Sequence, residues 1–389
     1  MSYRKFRADH LFTGSQWLND QHVLVAGKDG DIEAIMPLAE AGDGVEQLTG
    51  ILSPGLVNCH CHLELSHLKG LIPAKTGMVD FLLSVMQYRE VAAETIARSI
   101  YLGEMEMLRN GIVATGDICN TDHTLAVKQQ GLMYYHNFIE ATGFVEQTAE
   151  QRLGVARRVF EQFAQVYGLP MESNSIVPHA PYSVSPRLFN LITHFPGNRL
   201  LTMHNQESLA ENEFFHTGSG DFQRLYESLK IDISFFKPAG HSSLRHCVSH
   251  FLPNQTVILV HNAHTTRDDI SLVTGNAEPM ARFYFCLCPN ANVYIGNPLP
   301  DIDMMRGSGV PIVVGTDSLA SNHQLNIVAE LKTIRDHFPH IGISELLQWA
   351  TVNGAKALNV EGYIGCFEKG RRPGVVLIGN ELESVKRLL

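Results

Sequence analysis

The sequence predicts an α/β fold, a (β/α)₈ barrel with a small composite β domain built from both chain ends. Three observations lead there. From Gly55 onward, eight short apolar runs alternate with amphipathic stretches, the pattern of strands each followed by a helix. The first fifty residues read instead as short strands and turns, and that character returns only near the C-terminus. A length of 389 residues suits one large domain with an appendage or two ordinary ones.

At the N-terminus, Ala8 to Phe12, His22 to Ala26 and Ile32 to Ile35 read as strands, the last two separated by the turn Gly27-Lys28-Asp29-Gly30. After Ser53-Pro54-Gly55 the expected barrel strands are 55–59, 112–117, 134–140, 175–178, 200–204, 257–261, 284–288 and 312–315. The clearest helical periodicity lies in 78–109, 148–167 and 270–281, and a last helical piece covers 353–358. Val375 to Ile378 is too short to stand alone, so it is expected to pair with the N-terminal strands. The expected division is therefore 1–52 with 359–389 for the β domain and 53–358 for the barrel.

Composition excludes several classes of function. Thirty Lys and Arg against forty Asp and Glu give a formal charge of −10 with no dense basic run, which argues against nucleic-acid binding. No apolar stretch has the roughly 18-residue length of a membrane span, and the N-terminus has no signal-peptide core, so a cytoplasmic protein is expected. The seven Cys are scattered and read as reduced thiols. The 19 His are more informative, because of where they sit.

In Asn58-Cys59-His60-Cys61-His62, strand alternation puts His60 and His62 on one side and the thiols on the other. That separation disfavours a mixed Cys/His structural site. Three more apolar strands end in a polar residue: His204, His261 and Asp317. All barrel strands end around one pocket, so these residues are expected to meet there rather than to lie unpaired in the core. His60, His62, His204 and Asp317 supply three neutral donors and one carboxylate for a divalent ion, leaving room for a water whose pKa falls towards about 7. The fourth strand offers no Lys to bridge a second ion, so one ion per chain is expected. Glu207, three residues after His204, suits a proton carrier beside the ion, and Asp317 can also accept a proton. His261 reads either as an acid/base group orienting the water or as a fourth His ligand.

With these residues in place, the chain resembles the mononuclear aromatic deaminases of the amidohydrolase superfamily. The resemblance rests on Ser53 to His62, Val177 to Tyr182, His204 to Glu207, Val260 to His264 and Gly315 to Asn322, in the family's order. It implies a metal held by His60, His62, His204 and Asp317, with Glu207 and His261 as acid/base groups, and it adds ammonia release as the activity. His62 to Ser66, Gly116 to Ile118, Phe235 to Ser243 and Asp317 to Asn322 look closest to the aminodeoxyfutalosine, adenosine-type and S-adenosylhomocysteine deaminases. That implies a 6-aminopurine nucleoside, with Glu64 meeting ribose hydroxyls and His179 the purine or ribose. Glu64 also reads as a charge on the barrel rim, His179 as a loop histidine, and Phe235 to Ser243 as either a lid or a surface loop.

The family's late Gly-Lys-x-Ala-Asp-Leu-Val stands here as Gly370-Arg371-Arg372-Pro373-Gly374-Val375-Val376, a departure confined to the β domain. Zinc, iron and manganese all accept this donor set, with zinc the first expectation. The remaining alternatives are a guanine, pterin or other heterocycle deaminase, a cyclic amidase, and a non-catalytic metal-binding scaffold. The expected partner is a small-molecule substrate, with no nucleic acid and no membrane, and the resemblance implies a homodimer.

Overall fold

The structure is a computed structural model that describes residues 3–166, 173–275 and 281–389. Its central strands are Leu56–Cys61, Ile112–Cys119, Tyr134–Ala141, Asn174–Pro178, Leu200–Asn205, Thr256–His261, Arg282–Leu287 and Ile312–Val314. Each begins and ends within two residues of the run expected from the sequence. They form two parallel arcs, strands one to four and strands five to eight. Backbone bonds join the arcs on both sides. The His204 N–H donates to the His179 carbonyl at 2.9 Å, and the Asp317 N–H donates to that of His60 at 3.0 Å, beside a parallel bridge between Cys61 and Asp317. The ring is thus a (β/α)₈ barrel, and its strands are apolar almost throughout because helices cover the outer face while side chains fill the inside.

The helix Ala93–Arg109 buries Ile96, Ile100, Met107 and Leu108 along one stripe. The helical periodicity over 78–109 is interrupted in the structure, giving Met78–Tyr88 and Ala93–Arg109. Two long-range contacts account for the break: the Arg89 carbonyl meets a ring nitrogen of His67 at 3.1 Å, and its guanidinium donates to Glu64 at 3.3 Å. Neither partner is visible in a local pattern. The two other expected helices appear as Ala149–Ala164 and Arg267–Thr274, while Tyr167 and residues 276–280 of those expectations lie outside the described residues. The last expected helix is Gly354–Ala357, continuing from Ile343–Gln348 through a widened turn at Trp349–Asn353.

Both chain ends contribute to one five-stranded sheet. Val375–Ile378 lies antiparallel to Ile51–Pro54, which runs parallel to His10–Phe12. A second sheet has the order Ile32–Pro37, His22–Gly27, Tyr3–Arg7, Val45–Gln47. Phe6, Leu11, Leu24, Leu52, Phe367 and Val375 fill the space between them. The expected strand 8–12 starts later, at His10. Among the described residues, no helix is long and apolar enough to cross a membrane.

One close approach ties the barrel directly to its polar end. A Cβ on Gly315 would lie 2.7 Å from the Cβ of His60 and 2.9 Å from its carbonyl oxygen, so only glycine lets strands one and eight meet here. Gly315→Ala is expected to destabilise the fold by about 1–3 kcal/mol through overpacking. A urea unfolding midpoint equal to that of the wild type would contradict this.

Candidate active site

The first strand brings His60 and His62 to the C-terminal end of the barrel on one face, as alternation requires, while Cys59 and Cys61 are buried on the other side. The fifth strand adds His204 and the turn after the eighth adds Asp317. The Nε2 of His62 lies 3.2 Å from the Nε2 of His60 and 3.2 Å from that of His204. Oδ1 of Asp317 lies 3.5 Å from His60 Nε2 and 3.4 Å from His62 Nε2. Donor atoms from all four residues fall within 4.8 Å of one another.

The chemistry of this set fits a divalent cation. The Nδ1 of His204 donates to the His179 carbonyl at 2.8 Å, which leaves its Nε2 as a lone pair facing the cluster. Burial holds His62 down to about 3 and His204 well below the usual histidine range, so these rings are neutral. Burial pushes the Asp317 carboxyl up, but its hydrogen bond with His60 and the nearby His62 and His261 hold it well below the usual range. Three ring nitrogens and a carboxylate oxygen therefore converge on one point. A tetrahedral ion with arms of about 2.0–2.1 Å separates its ligands by about 3.3 Å, close to the separations seen.

Glu207 and His261 stand beside the cluster. Nε2 of His261 is 3.5 Å from Oε1 of Glu207, and both side chains are buried. His261 Nδ1 pairs with Asn292 Oδ1 at 2.9 Å, the contact that fixes its proton on Nδ1 and turns Nε2 toward Glu207. Burial first, and then the charges of Asp317 and Glu211, push the Glu207 carboxyl well above the usual range, while burial lowers His261 to about 4. Burial thus favours the protonated carboxyl of Glu207 and the neutral ring of His261. Glu207 is positioned by Glu211, whose two oxygens accept the Gln206 and Glu207 N–H groups at 3.1 and 3.2 Å.

The backbone is strained at the same strand ends. Gln206, His261, Asn262 and Asp317 all have positive φ, between 46° and 73°. Such residues cost about 1–3 kcal/mol each and persist only when neighbours hold them. Here the Asn262 N–H donates to the Asn205 carbonyl at 3.0 Å, and the Asp317 N–H is held by His60 as described. Four strained non-glycine residues at the ends of strands five, six and eight mark this end of the barrel as the functional one.

The two expected substrate contacts are placed differently. His179 lies beside the cluster, its ring centroid 4.7 Å from that of His204, with Nδ1 bonded to Ser183 Oγ at 2.8 Å. The Glu64 carboxylate is engaged by its own chain: Oε2 accepts from Asn120 N, Thr121 N and Thr121 Oγ1 at 2.9–3.1 Å, and Oε1 from Arg89 at 3.3 Å. The sequence reading missed Glu140, the penultimate residue of the third strand, which groups with His179 and His204 within 4.8 Å. The overlooked signal was of the same kind as the others, an apolar strand ending in a charged residue. Burial pushes Glu140 up to about 7.

Aromatic side chains pack above this ring: Phe144, Tyr182, Phe214, Phe222 and Tyr226 form one buried cluster. The 235–243 stretch joins it through Phe236, stacked on Phe214 at 4.4 Å, whereas Phe235 is 47% exposed.

Three similarities to known proteins bear on this site. The chain is 24% identical over 352 residues to the 5-methylthioadenosine/S-adenosylhomocysteine deaminase of Teredinibacter turnerae, covering 86% of this chain and 73% of that one. It superposes on the Helicobacter pylori aminofutalosine deaminase, in complex with methylthio-coformycin, with a TM-score of 0.78 at 20% identity, covering 99% of this chain and 97% of that one. It superposes on an adenosine deaminase from Xanthomonas campestris with bound zinc at a TM-score of 0.74 and 20% identity, covering 98% and 85%. Residues 51–387 match the Amidohydrolase family, and with the whole barrel and its polar end inside that span, the chain belongs to the amidohydrolase family.

Proposed function

We propose that the protein is a metal-dependent aminohydrolase that converts a 6-aminopurine nucleoside and water to the 6-oxo nucleoside and ammonia. The observation that carries this is the juxtaposition of a four-donor cluster, 3.2–3.5 Å between neighbouring donors, with a Glu207–His261 pair that stands outside it. The names of the relatives support the substrate class. His60, His62, His204 and Asp317 are the residues that hold the ion, and zinc is the proposed one, as in the Xanthomonas campestris protein. A divalent ion in this set supplies charge that polarises water and lowers its pKa towards about 7.

The chain's own residues then handle the protons. Glu207, whose protonated form burial favours, donates to the ring nitrogen beside the carbon under attack and makes that carbon electrophilic. It then takes up a proton from the incoming water and passes it to the departing amine, which leaves as ammonia. His261 Nε2, 3.5 Å from Oε1 of Glu207, accepts a hydrogen bond from the attacking water and orients it. Asp317 takes the water's second proton as the 6-oxo group forms and returns it to Glu207 after ammonia leaves, which restores both groups, while its Oδ2 is fixed by the Ser321 hydroxyl at 2.5 Å. The aromatic cluster over the barrel mouth limits competing water.

Ammonia release from aminodeoxyfutalosine, methylthioadenosine, S-adenosylhomocysteine, deoxyadenosine and adenosine tests the reading. Turnover of at least one with an equimolar 6-oxo product supports it; ammonia from guanine or a pterin alone would overturn the nucleoside assignment. Ser321→Ala is expected to weaken ion retention or turnover by about 10- to 100-fold, since it frees a ligand's second oxygen. Wild-type ion affinity and rate in that variant would contradict the role given to Asp317.

A further inference from the structure

We propose that the 235–243 segment is a lid that positions Glu207 through Asp269 and Gln206, a role that rests on the aminohydrolase reading and adds the device that readies its proton carrier. Residues 231–242 contain no helix or strand and no fully buried side chain, although they connect two helices, Asp221–Ser228 and Ser243–Cys247. A stretch with so few buried contacts opens locally at low cost. Its attachments are few and specific. Phe236 stacks on Phe214 at 4.4 Å and meets Phe215 edge-on at 5.7 Å, and the Ala239 N–H donates to the Phe215 carbonyl at 2.9 Å. From Phe214 the rings continue to the metal donors through Phe222 at 6.1 Å, Tyr182 at 4.3 Å, His179 at 5.8 Å and His204 at 4.7 Å. The segment therefore caps the aromatic cluster at the polar end of the barrel.

At its far end the segment is tied to the residue beside the acid. The Ser242 hydroxyl donates to Asp269 Oδ1, and the Ser243 N–H and hydroxyl both donate to Asn212 Oδ1 at 3.3 Å. The same two acceptors hold Gln206, whose Nε2 donates to Asp269 Oδ2 at 3.0 Å and to Asn212 Oδ1 at 3.3 Å. Gln206 is fully buried, has a φ of 46° and directly precedes Glu207. A glutamine in the left-handed region stays there only while its neighbours hold it. Burial pushes the Asp269 carboxyl up, but hydrogen bonds from Ser242, Gln206 and Thr266 hold it below the usual range, so it acts as a charged acceptor. Neither Asp269 nor Asn212 is among the metal donors.

The reaction gives this connection its use. Glu207 meets the ring nitrogen, the water and the departing amine in turn, so its placement matters once substrate is bound and hardly before. With the segment closed, Ser242 completes the path to Asp269 and Gln206 and the strained backbone before Glu207 is held. With it open, Asp269 loses the Ser242 donor, Asn212 loses Ser243, and Gln206 is free to relax. Closure over the nucleoside thus sets the proton carrier in place at the moment the site is shut off from water.

The test compares Ser242→Gly and Ser242→Thr in the metal-loaded protein. Ser242 also caps the helix that follows, accepting the Arg245 N–H. Glycine is tolerated at that cap but cannot donate to Asp269, whereas threonine does both. On a 6-aminopurine nucleoside that the wild type accepts, Ser242→Gly should lower kcat by about 10-fold, the scale of a hydrogen bond to a charged group, with KM within about threefold and ion content unchanged. Ser242→Thr should restore the rate. In a Glu207→Gln background the same glycine should cost less than about twofold, because no acid is left to place. Saturating Glu207→Gln with that nucleoside should also slow amide exchange across 235–243 by at least about 10-fold. A wild-type rate in Ser242→Gly, a loss that Ser242→Thr does not restore, an equal loss in both backgrounds, or unchanged exchange would each overturn the inference and leave the deaminase reading in place. A wild type that releases ammonia from no 6-aminopurine nucleoside would overturn that reading and this one with it.

Discussion

Glu207→Gln is expected to lower kcat by about 10³-fold while retaining the metal ion, the size of effect that loss of a positioned acid/base group produces. Glu207 is outside the four-donor cluster, so its replacement removes no ligand. Glutamine keeps the shape of the side chain and the packing around it, but it has no exchangeable acid proton. Glu211 continues to hold the backbone of residues 206 and 207, so the local turn survives. Steady-state rates together with metal analysis check the expectation. A variant that turns over at the wild-type rate would remove Glu207 from the mechanism, and one that loses the ion would make it a ligand.

The second large effect concerns a buried ion pair that was not anticipated. Lys128 is 1% exposed; its Nζ donates to Asp117 Oδ2 at 2.5 Å and to Asn137 Oδ1 at 2.7 Å, and it stands over the rings of Tyr135 and Phe163. The other oxygen of Asp117 accepts the N–H of Leu63 at 2.8 Å, the residue directly after His62. The pair thus anchors the turn that follows the His60/His62 strand. Removing one partner leaves the other charge buried and uncompensated, so Lys128→Ala is expected to cost about 3–5 kcal/mol. The double variant Lys128→Met/Asp117→Asn removes both charges and should recover much of that loss in chemical denaturation. Little loss in the single variant would contradict a dry, paired Lys128.

The sequence was most legible where local periodicity and tertiary placement ask for the same thing. Barrel strands are buried on both faces, so each reads as an apolar run, and the polar residue that ends it stands out: His60, His204, His261 and Asp317 were all visible in this way. Features that depend on partners far along the chain were not. The break between Tyr88 and Ala93 follows from His67 and Glu64 gripping Arg89. The setting of Glu140 depends on a turn at 120–121 that only the fold brings to it. Lys128 lies in a short helix, Leu125–Lys128, with no marked periodicity, and it acquires meaning only opposite Asp117. Glu211 had a local signal, the Ser208-x-x-Glu211 spacing of a capping box, in which the Ser208 hydroxyl does accept the Glu211 N–H. Its carboxylate, however, turns back to the N–H groups of Gln206 and Glu207, which the motif alone does not announce.

The most direct test of the account is a zinc titration of the metal-stripped protein, followed by ammonia release from a 6-aminopurine nucleoside that the intact enzyme accepts. A single cluster of four donors with a separate acid/base pair predicts no activity without the ion and a linear rise to a plateau at one ion per chain. Full activity in the stripped protein, or a rise that continues to two ions, would contradict it.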